Sequence, residues 1–194
     1  MKVLFYLDRL MHYHARTFRE IERRLESVGG SFIVVSGSPK KNESGRVALS
    51  KPIVQQHYFV PYREWSYRTY TIRWQPTLAR VIRKVAPEVV IVMGHVGCLT
   101  YWRLGSLSKR MGFRYITWQC GYEYNPGTIK AVLTRKFLKQ FHYHLAYHSG
   151  AMKYLLAHGI TESRIMVIHN TINEQEIECV PRNQAREKIS LAEA

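Results

Sequence analysis

Short, unbroken apolar runs alternate along the chain with longer stretches in which apolar side chains return every third or fourth position. "KVLFYL" (2–7), "SFIVVSG" (31–37), "VQQHYFV" (54–60), "EVVIVM" (88–93), "FRYITW" (113–118), "YHLAY" (143–147) and "RIMVI" (164–168) read as strands. "ARTFREIERRLESVGG" reads as a helix with Phe18, Ile21 and Leu25 on one face and Gly29 and Gly30 at its end. Further helices are expected from about Leu99 to Met111, from after Gly127 to about Gln140, and over 150–159. The segment from Tyr62 to Val85 is expected to be helical on either side of Pro76, and "SPKKNESGR" to be a loop. Strands that are apolar throughout and separated by helices predict an α/β domain. It is a Rossmann-like parallel sheet of about seven strands with helices on both faces.

In such a sheet ligands gather beyond the carboxyl ends of the strands. That selects "LDRLMHYH", "MGHVG", "WQCGYEYN", "YHSG" and "IHNT". The first of these has no glycine, so the G-x-G-x-x-G of a dinucleotide site is missing, and no G-x-x-x-x-G-K-[ST] occurs elsewhere. "MGHVG" serves either as a tight turn or as a ligand loop. His142 and His144 could chelate from one strand face, yet no Cys or acid lies near them in sequence, and solvated or hydrogen-bonded imidazoles are the simpler reading. No metal site is therefore expected. Cys120 after an apolar strand reads more readily as a small buried residue than as half of a Cys-His nucleophile.

Composition adds a partner. Of 194 residues 46% are apolar, enough for one domain with its own core, while 29 Lys and Arg against 14 Asp and Glu leave a formal charge of +15. Such a charge favours nucleic acid, an acidic membrane or a phosphorylated ligand. Three widely spaced cysteines argue against a disulfide framework and fit a reducing cytoplasm. The five-residue apolar run before Asp8 is too short for a signal peptide, and no run approaches a membrane span. Between His57 and Trp74, aromatic residues interleave with Arg63, Arg68 and Arg73. With Trp65 these arginines form a candidate contact with an anionic membrane surface. Stacked bases, or a helix with aromatics inside and arginines outside, fit the same pattern.

"HLAYHSGAMKYLLAHGITESRIMVIHNTIN" (144–173), with Gly159, Arg164, Ile165, Val167, Ile168 and Asn170, resembles a pattern of the retaining glycosyltransferases of family 4. "HYHARTFREIERRL" (12–25) is similar to the first loop and helix of that family, and "PEVVIVMGH" to one of its strands. The resemblance implies residues 1–175 as the N-terminal, acceptor-side domain of a GT-B fold. Residues 176–194 would begin the crossing to a donor domain not in this chain, so that the chain alone would be inactive. It implies sugar transfer from a nucleotide-diphosphate sugar to an acceptor hydroxyl, with no other cofactor. The nucleotide sugar would be held mainly by the absent domain, and the acceptor would be a sugar or lipid-linked molecule. His95, Gln119 and Glu123 would be the catalytic candidates lining the cleft floor. His12, His14, Arg16, Gly94, Gly121, Tyr122, His148, Ser149 and Asn170 would meet acceptor or phosphates. The sequence departs from the pattern at Thr171 and Asn173, at Gln119 and Cys120 where many members carry His, and in the glycine-free "DRLMHYH". The charge then implies work on cell-surface polysaccharide or glycolipid at the inner, cytoplasmic face of a membrane. A nucleic-acid-binding protein, for which no motif speaks, and a non-catalytic scaffold of the same fold are the competing readings.

Overall fold

The computed structural model describes residues 1–11, 13–37, 51–67, 70–121 and 128–169. Seven strands form one parallel sheet in the order β3-β2-β1-β6-β7-β8-β9, and all seven lie where apolar runs predict them. They are β1 (Lys2–Leu7), β2 (Ser31–Gly37), β3 (Gln56–Val60), β6 (Val89–Met93), β7 (Arg114–Gln119), β8 (Tyr143–Ala146) and β9 (Ile165–Val167). The helices are α1 (His14–Ser27), α2 (Leu78–Val85), α3 (Leu99–Met111), α4 (Thr128–Leu138) and α5 (Ser149–Ala157).

The continuous apolar strands have a direct cause: side chains alternate between two cores, one on each face of the sheet. From β1, Leu4 and Tyr6 join Ile82, Tyr101, Leu104, Tyr115 and Leu155 in one core. Val3, Phe5 and Leu7 join Phe18, Phe32, Val34 and Trp118 in the other. Phe18 of α1 is fully buried and packs on the Phe5 ring at 4.9 Å and the Phe32 ring at 5.6 Å, while Ile21 and Leu25 support the same core from the next turns.

The segment after Tyr62 differs from its expectation. Instead of helix on both sides of Pro76, β4 (Arg63–Tyr67) and β5 (Tyr70–Trp74) pair antiparallel as a separate two-stranded ribbon, and only α2 after Pro76 is helical. Tyr, Trp, Thr and Ile favour strand, and their alternation with Arg and Glu matches a period of two better than a helical face.

Burial keeps two histidines neutral, the half-buried His57 and the fully buried His144. His57 shares a 2.9 Å hydrogen bond with the Ser36 hydroxyl, and burial lowers its pKa to about 4. His144 is fully inside, neither ring nitrogen has a hydrogen-bond partner among the described residues, and burial, with the Arg164 charge second, also lowers it to about 4. His142 accepts the Tyr115 N–H at Nδ1, 2.9 Å away. The two imidazoles therefore do not form an outward chelating pair.

Both pKa values lie below the ordinary 6.5, so the unfolded chain takes up these protons first as pH falls. Stability should be intact above about pH 6.5 and decline toward pH 4. His144→Leu, followed by urea unfolding across that range, should flatten the decline by on the order of 2 kcal/mol at the acid end. An unchanged pH dependence would refute the assignment.

Candidate functional site

The winding of the sheet places the site. From β1 the chain moves outward through β2 to β3; it then returns to lay β6 against the other side of β1 and continues outward through β7 and β8 to β9. In a sheet wound this way a ligand crevice is expected beyond the carboxyl ends of β1 and β6, where the direction reverses. Asp8 leaves β1 there, Gly94 and His95 leave β6, Gln119 to Gly121 leave β7, and His148 and Ser149 leave β8.

Asp8 is the hub of this region. Its carboxylate accepts from Arg73 Nη1 at 2.9 Å, Gln75 Nε2 at 3.2 Å and the Tyr101 hydroxyl at 3.3 Å. Arg73 also donates through Nε to Glu64 at 2.7 Å, and Arg9 stands 3.8 Å from the same carboxylate. Side-chain exposures of 13% for Asp8, 16% for Glu64 and 23% for Arg73 put the pairs in a poorly screened setting. Burial and the Asp8 charge hold the Tyr6 and Tyr101 hydroxyls well above the usual phenol range, so both stay protonated. Cys98, buried and donating to Gln75 Oε1, is pushed up to about 12. The Arg73 N–H bonds the Gly97 carbonyl at 2.9 Å, which ties β5 to the loop after β6.

Toward β7 and β8 the packing is tight. Gly94 has no side chain because the Gln119 carboxamide occupies that space; a Cβ would collide with Gln119 Nε2. Gln119 is buried and donates to Thr117 Oγ1 at 3.2 Å. Gly121, at φ +78°, sits where a Cβ would come within 2.5 Å of Ala151 in the first turn of α5. His148 caps that helix, its Nδ1 accepting the Ala151 N–H at 3.2 Å. The exposed Ser149 opens the helix, so the positive end of its dipole faces the crevice. The His95 ring lies against Gly97. Burial raises the Cys120 thiol, against a partly offsetting hydrogen bond with Tyr147, which leaves it protonated rather than an activated nucleophile.

The structure thus places His95, Gly94, Gln119, Gly121, His148 and Ser149 at the carboxyl ends of β6, β7 and β8. His14 does not join them as an open ligand. It is buried, stacked on Phe18 with ring centres 5.6 Å apart, and its Nδ1 accepts the Met11 N–H at 3.1 Å. Arg16 is exposed on the first turn of α1. His12, Tyr122, Glu123 and Asn170, together with Arg68, lie outside the described residues. The expected membrane group divides: Arg63 and Trp65 are exposed, whereas Arg73, on the opposite face of the ribbon, is consumed by Asp8 and Glu64. Trp65, at 53% exposure, pairs across the ribbon with Ile72 and stands beside Tyr67 at 71%. Asp8, Gln75 and Tyr101 were not singled out from the sequence. The available signal was Asp8 itself, the first polar residue after the β1 apolar run.

The fold matches the Rossmann-like half of a GT-B fold. It is similar to HepE from Anabaena, crystallised with UDP and glucose, with a TM-score of 0.62 and 10% identity over 99% of this chain and 51% of that one. It is similar to the lipopolysaccharide outer core galactosyltransferase WaaB, with a TM-score of 0.54 and 14% identity over 95% and 50%. A Listeria monocytogenes protein described as a putative UDP-N-acetylglucosamine 2-epimerase gives 0.54 and 15% over 86% and 44%. The chain spans about half the length of these structures. Comparison by sequence matches no family model and no curated protein.

If Asp8 anchors the ribbon, Arg73→Met should free it. Amide hydrogen exchange should accelerate in Arg63–Tyr67 and Tyr70–Trp74 while β1, β6 and β7 stay protected, with global stability lower by about 2 kcal/mol. Unchanged exchange in the ribbon would contradict the anchoring role.

Proposed function

We propose that this chain is the acceptor-side half of a glycosyltransferase that moves a sugar from a nucleotide-diphosphate sugar to an acceptor hydroxyl, with retention at the anomeric carbon. The observation that carries the reading is the reversal of winding between β1 and β6, with His95 and Gln119 at the neighbouring strand ends and the start of α5 following β8, in a domain with the fold of half a GT-B enzyme. In the reaction the bond from the anomeric carbon to the leaving phosphate oxygen breaks and a bond to the acceptor oxygen forms; the acceptor proton is released. A neutral, buried amide such as Gln119 suits binding of a sugar hydroxyl, and the α5 N-terminus suits negative charge on a leaving phosphate. Asp8, committed to Arg73, Gln75 and Tyr101, positions the crevice wall rather than taking a proton.

The donor is assigned to a second half of the enzyme, as the half-length match to the solved structures supports. The protein is proposed to work in cell-surface polysaccharide or glycolipid synthesis at the cytoplasmic face of a membrane. The ribbon would touch that surface through Arg63, Trp65 and Tyr67. Among the described residues no helix is long and apolar enough to cross a bilayer.

Two measurements test this. Titrated with UDP-glucose and UDP-galactose, the 194-residue chain should show no transfer and only weak, millimolar-range binding; micromolar affinity would overturn the division of labour. In co-sedimentation with phosphatidylglycerol vesicles, the Arg63→Ser, Trp65→Ser double variant should bind roughly tenfold more weakly than the parent. Full-strength binding would remove the ribbon from the membrane contact.

A further inference from the structure

At the amino end of the strands, opposite the crevice, lies a cavity of about 440 Å3. It opens between the last turn of α3, the start of β7, the turn after α4, the start of β8 and the residue before β9. Lys109, Arg114, Lys139 and Arg164 line it, with no carboxylate in the lining. The surrounding half of the domain offers little to balance them. Among the described residues from Val89 to His169, Glu162 is the only acid, and Lys109, Arg114 and Lys139 take part in no ion pair.

Helix dipoles account for part of this charge. The carboxyl ends of α3 and α4 each carry roughly half a negative charge, and Lys109 and Arg110 in one last turn, Arg135 and Lys136 in the other, already offset them. Arg114, Lys139 and Arg164 lie beyond both helices, so the cavity retains a surplus of positive charge. Arg164 is also fixed in place. Its Nε donates to the His142 carbonyl at 3.0 Å and its Nη2 to the Phe141 carbonyl, and among the described residues Nη1 has no hydrogen-bond partner. A held guanidinium beside the exposed Arg114 guanidinium and the Lys109 and Lys139 ammonium groups is an arrangement suited to phosphate oxygens, since the ordering cost of the planar donor is met before binding.

We propose that this cavity binds a phosphate-bearing ligand, either a soluble phosphate compound or a phospholipid headgroup, at a site separate from the crevice. The site stands independently of the glycosyltransferase reading, because no residue of the crevice contributes to it.

The test is calorimetric titration of the full chain with inorganic pyrophosphate. Lys109→Gln, Arg114→Gln, Lys139→Gln removes the exposed cations; Arg19→Gln, Arg80→Gln, Arg83→Gln removes the same charge from exposed positions on α1 and α2. Parent and control triple should bind saturably and alike, and the cavity triple more weakly by roughly tenfold or more at an unchanged melting temperature. Phosphatidylglycerol vesicles identify the source. Weaker vesicle binding by the cavity triple assigns a headgroup, and unchanged vesicle binding assigns a soluble phosphate. No saturable pyrophosphate binding by the parent, or an equal loss in both triples, overturns the proposal.

Discussion

The carboxylate of Asp8 and the guanidinium of Arg73 meet at 2.9 Å across 65 residues of sequence, and the layout of the carboxyl end of the sheet depends on that contact. Neither group is well hydrated, so neither can be left alone without a large desolvation cost. Each is therefore given further partners: Gln75 and Tyr101 for Asp8, Glu64 for Arg73. The pair holds an antiparallel ribbon over the place where a parallel sheet reverses its winding. Because Arg73 also bonds the Gly97 carbonyl, the loop bearing His95 is fixed from the same anchor. One ion pair thus couples the wall of the crevice to part of its floor.

The two ends of the sheet solve different electrostatic problems. At the carboxyl end, Arg73 and Arg9 are set against Asp8 and Glu64. At the amino end of β7, β8 and β9 the cations are left unmatched around a cavity. The formal charge of +15 is spread over both halves of the sheet, with 16 Lys and Arg against 7 acids in residues 1–88 and 10 against 2 in residues 89–169. The second stretch differs in having almost no acids to offset its cations, and it is there that an anionic ligand gains most.

Most of the parallel sheet was legible because strands buried on both faces leave unbroken apolar runs, as β1, β2 and β6 show. The ribbon was not. Arg and aromatic residues between Tyr62 and Trp74 satisfy a loose helical reading, and only the alternation of Glu64 and Arg73 with Trp65 and Ile72 separates inner from outer face. The strand ends were legible, and His95, Gln119 and His148 lie at the carboxyl ends of β6, β7 and β8. Individual roles were not, because they depend on contacts distant in sequence: His14 turns inward onto Phe18, Arg73 finds Asp8, and Gln119 lies over Gly94. The identity of a polar residue reveals its chemistry but not which neighbour consumes it.

The central claim, that Asp8 and Arg73 act as one unit in organising the crevice, is tested most directly by a double-mutant cycle. Unfolding free energies of the parent, Asp8→Asn, Arg73→Met and the double variant would give a coupling energy. A buried pair of this geometry predicts about 2 kcal/mol, with the double variant no less stable than the worse single variant. Additive losses, with coupling near zero, would show that the two residues act independently and would contradict the account.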